Sequence, residues 1–381
     1  MRQFERLSRS QRLRGNGAPR RGFEFGQARL KNALARAIVL DRFFDARGAP
    51  SLSQGEREPS SRLVRSGIGA GNDYSRQIGH TASRSPATEN AAMDGANIAF
   101  DRIRKVMSRL KISSISYLNT APLMWDFEHG ETGADNSFDI SYTIPSACAE
   151  ALRAGTADIG IIPAAAYATV PDLVIIPDVA IAARRAVRSI LLVSKRPVDS
   201  LWKQVRTVAL DTASMTSVAL AKILFAKWLG GARDYKPMAP DLDAMLNACD
   251  AALLIGDPAL QVDRTRYFTL DLAEEWVART GKSFVFAFWA IRAPALPGHD
   301  GAVLAEVFKK SRDHGLSPKN LEAIAQEWAP RLGLTVEIVR VYLTHNIHYY
   351  LDPPSLDGLK LYYRLAAEIG VLPRAPELQF V

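Results

Sequence analysis

The chain is poor in the residues that most directly announce a chemistry. Among its 381 residues there are only two cysteines, Cys148 and Cys249, far apart and outside any Cys-x-x-Cys pattern. That excludes a disulfide framework and a thiolate zinc site, and predicts two buried free thiols in a reducing cytoplasm. No stretch approaches the 18 or more consecutive apolar residues of a membrane span. After residue 106 there is no Gly-rich phosphate loop, no Cys/His metal set and no acid–base carboxylate pair, which removes support from nucleotide chemistry and metal-assisted hydrolysis. His345-x-x-His348 lacks both the Glu and the spacing of a zinc protease motif, so no metal and no cofactor is expected.

What is present is divided unevenly. The net charge of +8 comes from the first 106 residues, where 20 Lys and Arg, 18 of them Arg, face 10 acidic residues; the remaining 275 carry 28 against 30. All six Trp and both Cys lie after Met107. Residues 107–381 therefore offer no basic footprint for nucleic acid. The head is too poor in apolar residues to offset the entropy of ordering it and reads as a basic, mostly disordered extension with one short helix near 27–46. Arg20-Arg21-Gly22-Phe23 has the look of a twin-arginine signal, but Arg29, Lys31 and Arg36 stand where an apolar export core of about 7–15 residues belongs, which argues against export. A start of translation at Met107, directly before the first convincing strand, is a second reading of the head.

From residue 107 onward, apolar runs bounded by turn residues alternate with helical periods, the βαβ pattern. Strands are predicted at Ile112–Leu118, Phe138–Ile144 and Ala157–Pro163. Short helices follow the first two, Pro122–Glu128 and a helix capped by Ser146 that stops at Gly155. Ser189–Ser194 reads as a crossing strand. Then come Thr207–Asp211, a helix Met215–Leu229, Ala251–Ile255, and Ser283–Ile291. Beyond residue 300 the pattern is helical, with Ser317 as a cap and Leu316 and Leu321 as a hydrophobic staple, then Thr335–Leu343 and Asp357–Ile369.

The most informative junction is Ser116-Tyr117-Leu118-Asn119-Thr120-Ala121-Pro122-Leu123, where a strand runs into an Asn-Thr pair and a proline-started helix. In α/β proteins the carboxyl end of a strand opens into a crevice, and the following helix aims free N–H groups into it. This run resembles the start of the chorismate dehydratases of the futalosine route to menaquinone, and the resemblance continues to about residue 292. The unit ending in Arg153-Ala-Gly-Thr-Ala-Asp-Ile-Gly-Ile-Ile-Pro163 is similar to the first lobe of type II periplasmic-binding-protein folds. The resemblance implies two α/β lobes with a ligand cleft between them, residues 107–190 and 292–381 forming lobe 1 and 191–291 lobe 2.

The candidate residues have two readings each. Asn119 holds a hydroxyl or carboxylate through its amide, or caps the helix begun at Pro122; by resemblance it matches the family's active-site Asn. Tyr117 and Thr120 beside it are expected to face the substrate. Ser214, Thr216 and Ser217 start a helix whose hydroxyls and N–H groups could bind an anion, although a cap alone needs only one hydroxyl; Asp-x-x-Ser-x-Thr-Ser resembles the family's second-lobe ligand loop. Ser189 is an ordinary strand serine or, by resemblance, a catalytic, substrate-positioning one; no neighbouring base in sequence makes it a nucleophile. Asp257 at the end of Ala251–Ile255 binds ligand or fixes the turn. Arg184, Arg185 and Arg188 attract an anionic substrate or form a solvated surface.

A cleft of hydrogen-bonding groups suits a binder or an enzyme of a downhill reaction. The resemblance implies the second: a cytoplasmic hydro-lyase taking chorismate to 3-[(1-carboxyvinyl)oxy]benzoate and water, for which aromatisation supplies the driving force. The sister dihydroxynaphthoate synthase, whose entry motif resembles Ser-Pro-x-Pro-Asn-Asp-Thr, is disfavoured by Ser-Tyr-Leu-Asn-Thr-Ala-Pro. A transporter's solute-binding protein would need an export signal or lipid anchor.

Overall fold

The computed structural model describes residues 109–130, 138–197 and 201–381; the expectations for residues 1–106 lie outside the described residues. Among the described residues, ten strands form two five-stranded sheets. The first contains β1 (Leu110–Ile115), β2 (Phe138–Thr143), β3 (Ile159–Pro163), β4 (Leu173–Ala183) and β10 (Phe284–Arg292), in the order β2-β1-β3-β10-β4. The second contains β5 (Ile190–Ser194), β6 (Thr207–Asp211), β7 (Asp234–Met238), β8 (Ala251–Ile255) and β9 (Phe268–Asp271), in the order β7-β6-β8-β5-β9. In each sheet three strands run parallel, β2-β1-β3 and β7-β6-β8, and the crossing strands pair antiparallel to them.

The central strands are the ones the sequence pattern marks most clearly. β3, β5 and β8 are buried along their whole length, as expected of strands covered on both faces. β4, β7 and β9, for which the pattern offers no expectation, are all sheet edges. β4 carries Pro177 and a left-handed Asp178 in its middle, and β7 carries Pro237, residues tolerated at an edge because one side of the strand needs no ladder bond.

β10 corrects the lobe boundary. Expected to close the second lobe, it instead pairs with β3 and β4 in the first sheet, so the return between lobes occurs before it, through the helix Leu272–Thr280. The outward crossing is the segment 184–189. One carboxylate grips both crossings: Asp271 accepts from Val187 N at 3.2 Å and Arg188 N at 2.6 Å while capping the return helix at Ala273 N and Glu274 N. Arg188 has φ 65, an unfavourable left-handed conformation for an L side chain that this bond helps hold. Burial pushes the Asp271 carboxyl up to about 6, against the opposing pull of those N–H groups.

Other local expectations shift by a turn. The junction after β1 is a 3-10 turn, Leu118–Met124, followed by one α-turn, Trp125–His129, that stops at left-handed Gly130. Ser146 lies inside its helix, Pro145–Ala154, and makes no capping bond; Gly155 ends that helix as expected. Ser317 occupies a cap position without a side-chain cap bond, whereas Thr335 accepts from Ile338 N. The last helix begins earlier than expected, at Pro353, because Asp352 caps it and two prolines fit its first turn. The long helix Gly301–Gly315 packs on β4 and on the 3-10 turn. Its last residue must be glycine, since a Cβ at 315 would stand 2.0 Å from the Pro122 carbonyl oxygen. Both cysteines are buried, and the Cys148 thiol, 3.1 Å from Ser113 O, is pushed up to about 12 by burial.

Candidate active site

Four carboxyl ends of parallel strands converge where the lobes meet. β1 leads to Tyr117 and Asn119, β3 ends at Pro163, β6 leads to Ser214–Ser217, and β8 leads to Gly256; together with Ile190 and Phe286 they line one cavity. Its volume is about 50 Å³, against roughly 150 Å³ for a cavity that holds benzene. The lobes are thus closed on each other, and a ring-sized ligand enters only when they part. A larger open depression of about 360 Å³, on the second lobe beside Asp241, Asp263 and Arg266, shares no residue with this cleft.

Closure is made by polar contacts. Ser146 N donates to Ala213 O at 3.2 Å, and Leu118 N donates to Asp257 Oδ1 at 3.0 Å. The Thr216 hydroxyl donates to Phe286 O at 3.0 Å and accepts from Ala165 N at 3.1 Å. Beside these interlobe contacts, Tyr342 Oη of the first lobe donates to Ser189 Oγ on the outward crossing at 2.9 Å.

These contacts redistribute the expected roles. Asn119 does line the cavity, and its Oδ1 is buried without a protein partner. It does not cap a helix, since the turn that contains it has no side-chain cap bond. Tyr117 also lines the cavity; burial first, then the negative charges of Asp211 and Asp257, push its phenol up to about 12. Its ring lies flat against Gly256, where a Cβ would stand 2.5 Å from ring carbons and φ is +63. Glycine is required there on both counts.

Thr120 is corrected: its hydroxyl lies 2.5 Å from Ile115 O and 2.6 Å from Tyr117 O, so it ties the strand end to the turn and does not face the cavity. Thr216 is corrected in part. It borders the cavity but is 3 % exposed, with its hydroxyl engaged on both sides by lobe 1. Ser214 and Ser217 remain on the wall. Asp257 neither fixes only its own turn nor points free into the cleft; it pins the start of the β1 junction from the other lobe. Burial raises its carboxyl to about 6, although the Leu118 N–H favours the charged form. Ser189 stands just behind the wall, fully buried, its carbonyl accepting from Gly256 N at 2.8 Å.

Arg184 is drawn away into an ion pair with Asp352, and none of the three arginines lines the cavity. His345 and His348 take separate partners, Thr344 and Asp352. Asp352 is held down at about 2: burial alone would raise it, but the bonds from Ser355 and His348 outweigh that. Among the described residues, no helix is long and apolar enough to cross a membrane.

Two residues beside the site were not singled out as candidates in the sequence, although Asp211 opens the Asp-x-x-Ser-x-Thr-Ser motif. Asp211 shapes the loop after β6, accepting from Ala213 N at 2.8 Å and Ile255 N at 3.4 Å, and burial raises its pKa. The Asp-x-Ala spacing at a strand end is the Asx-turn signal that could have found it. Tyr342 opens a single π-helical turn, Tyr342–Asn346, and has no local motif.

Two α/β lobes joined by two crossings, with parallel strand ends lining the cleft between them, define a periplasmic-binding-protein fold. Solved structures agree at the level of fold. An Archaeoglobus fulgidus protein matches with TM-score 0.56 at 18 % identity, over 69 % of this chain and 98 % of its own. The periplasmic aliphatic sulphonate binding protein SsuA of Escherichia coli matches with TM-score 0.52 at 18 % identity, over 70 % and 94 %. Sequence comparison goes further: residues 110–368 match the menaquinone biosynthesis family, and the chain belongs to it. Over 257 residues, 63 % of this chain and 89 % of the relative, it is 31 % identical to the chorismate dehydratase of Thermus thermophilus.

Proposed function

We propose that the chain is a cytoplasmic chorismate dehydratase, a hydro-lyase converting chorismate to 3-[(1-carboxyvinyl)oxy]benzoate and water on the way to menaquinone. The observation that carries the reading is Asn119: the asparagine of the Ser-Tyr-Leu-Asn-Thr motif presents a buried, partnerless Oδ1 to the interlobe cleft.

In the reaction the C3–H and C4–O bonds break, the electrons of the C3–H bond form the new C3=C4 bond, and the ring becomes aromatic. A carboxylate of the substrate takes the C3 proton and passes it to the departing C4 hydroxyl, which leaves as water. Asn119 accepts from the C4 hydroxyl and so turns its lone pairs toward that proton. Tyr117 walls one side, and Ser214, Ser217 and the backbone N–H groups at the start of the helix Thr216–Lys227 hold a substrate carboxylate. Asp257 keeps the lobes together around the bound ring.

The test is incubation of the purified protein with chorismate, read by mass spectrometry. The expected product is lighter by one water. Unchanged chorismate overturns the reading, and loss of turnover in Asp257→Asn with an unaltered melting temperature would replace the substrate carboxylate by Asp257 as base.

A further inference from the structure

Asn119 stands on a short turn that its own segment leaves uncapped. The 3-10 turn Leu118–Met124 has Tyr117 at its cap position, and no side-chain cap bond is made there. The first N–H groups of such a turn have no partner within it and must find acceptors elsewhere. Leu118 is fully buried, so an unpaired N–H at that point would be costly. Its acceptor comes from the opposite lobe, 139 residues on: Asp257 Oδ1 lies at 3.0 Å and Oδ2 at 3.4 Å. A carboxylate of the second lobe thus does for this turn what a local capping side chain ordinarily does.

The contact beside it joins the same two segments. The Tyr117 ring lies against Gly256, where an added Cβ would stand 2.5 Å from two ring carbons. Two consecutive residues of the first lobe, Tyr117 and Leu118, therefore sit on two consecutive residues of the second, Gly256 and Asp257. The seat itself is fixed from behind: Gly256 N donates to Ser189 O at 2.8 Å, and Ile255 N donates to Asp211 Oδ2 at 3.4 Å. On the first-lobe side, Thr120 N donates to Tyr117 O at 3.0 Å, closing the backbone around Asn119. Tyr117, Asn119 and Gly256 all line the cavity.

We propose that Asp257 is a positioning residue for Asn119: with Gly256 it seats the Tyr117-Leu118 backbone, so that the Asn119 amide reaches its working place only when the lobes are closed. The proposal rests on the dehydratase reading for its substrate and deepens it, because closure then completes the site as well as enclosing the ligand. With the lobes apart, the Leu118 N–H loses its acceptor and the Tyr117 ring its support. A displacement of about 1 Å at a reacting contact is enough to cost about 10²-fold in rate. The task needs an acceptor at the Oδ1 position and no negative charge, and an amide oxygen supplies that equally.

The experiment compares wild type, Asp257→Ala and Asp257→Asn. Asp257→Ala should lower kcat about 10–100-fold at saturating chorismate. Asp257→Asn, whose amide oxygen still accepts from Leu118 N, should recover most of that kcat. A rise in KM alone in Asp257→Ala would make the carboxylate a clasp that serves binding only, and overturns the proposal. A kcat in Asp257→Asn as low as that of Asp257→Ala means that the charge itself is needed, and overturns it as well. A second readout needs no turnover: in assigned NMR spectra the Leu118 amide should exchange slowly in wild type and in Asp257→Asn, and faster by about tenfold or more in Asp257→Ala, while the amides of β1 keep their wild-type rates. If chorismate is not converted, the dehydratase reading fails and this exchange decides the seat alone; fast exchange in wild type, or equal protection in wild type and Asp257→Ala, overturns it. Should Asp257→Ala not fold, Gly256→Ala displaces the Tyr117 ring while keeping the carboxylate, and it carries the same expectations for kcat and exchange.

Discussion

The Thr216 hydroxyl in the second lobe donates to the Phe286 carbonyl oxygen in the first at 3.0 Å, and the Ala165 N–H of the first lobe donates back to it at 3.1 Å. A residue whose neighbourhood in sequence suggests an anion ligand is in this structure a clasp between lobes. Thr216→Ala would strand a buried N–H and a buried carbonyl, at about 1–3 kcal/mol for each group left unsatisfied. The expected outcome is a melting temperature lower by several degrees, restored by Thr216→Ser. A rise in KM at unchanged melting temperature would return the hydroxyl to the substrate.

Asn119→Ala should reduce kcat by about 10²–10³, the scale for losing a preorganised hydrogen bond at the reacting centre. Asn119→Asp should be at least as damaging. It removes the amide's donor and sets a negative charge before a substrate that already carries two carboxylates. Thermal melting and chorismate turnover measured together separate the roles. If both variants melt early and activity falls only with the unfolded fraction, Asn119 serves the fold.

Asp271 makes stability depend on pH in a definite direction. Burial raises its carboxyl from 3.8 to about 6 in the folded chain, so the native state holds a proton that the unfolded chain has released. Its contribution is fully present below pH 4 and is lost as pH rises through about 6. The melting advantage of wild type over Asp271→Asn should therefore grow as pH falls from 7 to 4. An advantage that shrinks over that range would mean the carboxyl titrates low.

A chain beginning at Met107 should keep its fold and its activity. Both sheets and the whole of the family match lie after that point, and so do all six Trp. Circular dichroism, melting and turnover of the shortened protein check this; insolubility or lost activity would assign residues 1–106 a role in the fold.

By itself the sequence determined the α/β class, the central strands and the strand-end loops that line the cleft, because these are local signals. A buried parallel strand such as β3 must be apolar throughout, and a helix stop such as Gly155 obeys backbone chemistry within a few residues. β4, β7 and β9 were not legible: β7 and β9 are short strands with mostly part-exposed side chains, and β4, though largely buried, is broken in its pattern by Pro177 and left-handed Asp178. The placement of β10 in the first sheet was equally hidden: its apolar run is compatible with either lobe, and only pairing with β3 and β4 chooses. The site divides in the same way. Asn119, Tyr117 and Ser214–Ser217 were visible as strand-end motifs, but whether a hydroxyl serves a ligand or the protein depends on what packs opposite it. Thr216 meets Phe286 seventy residues on, and Tyr342 meets Ser189 across 153. Such contacts join segments distant in sequence, because a buried polar group must find a partner wherever the folded chain brings one.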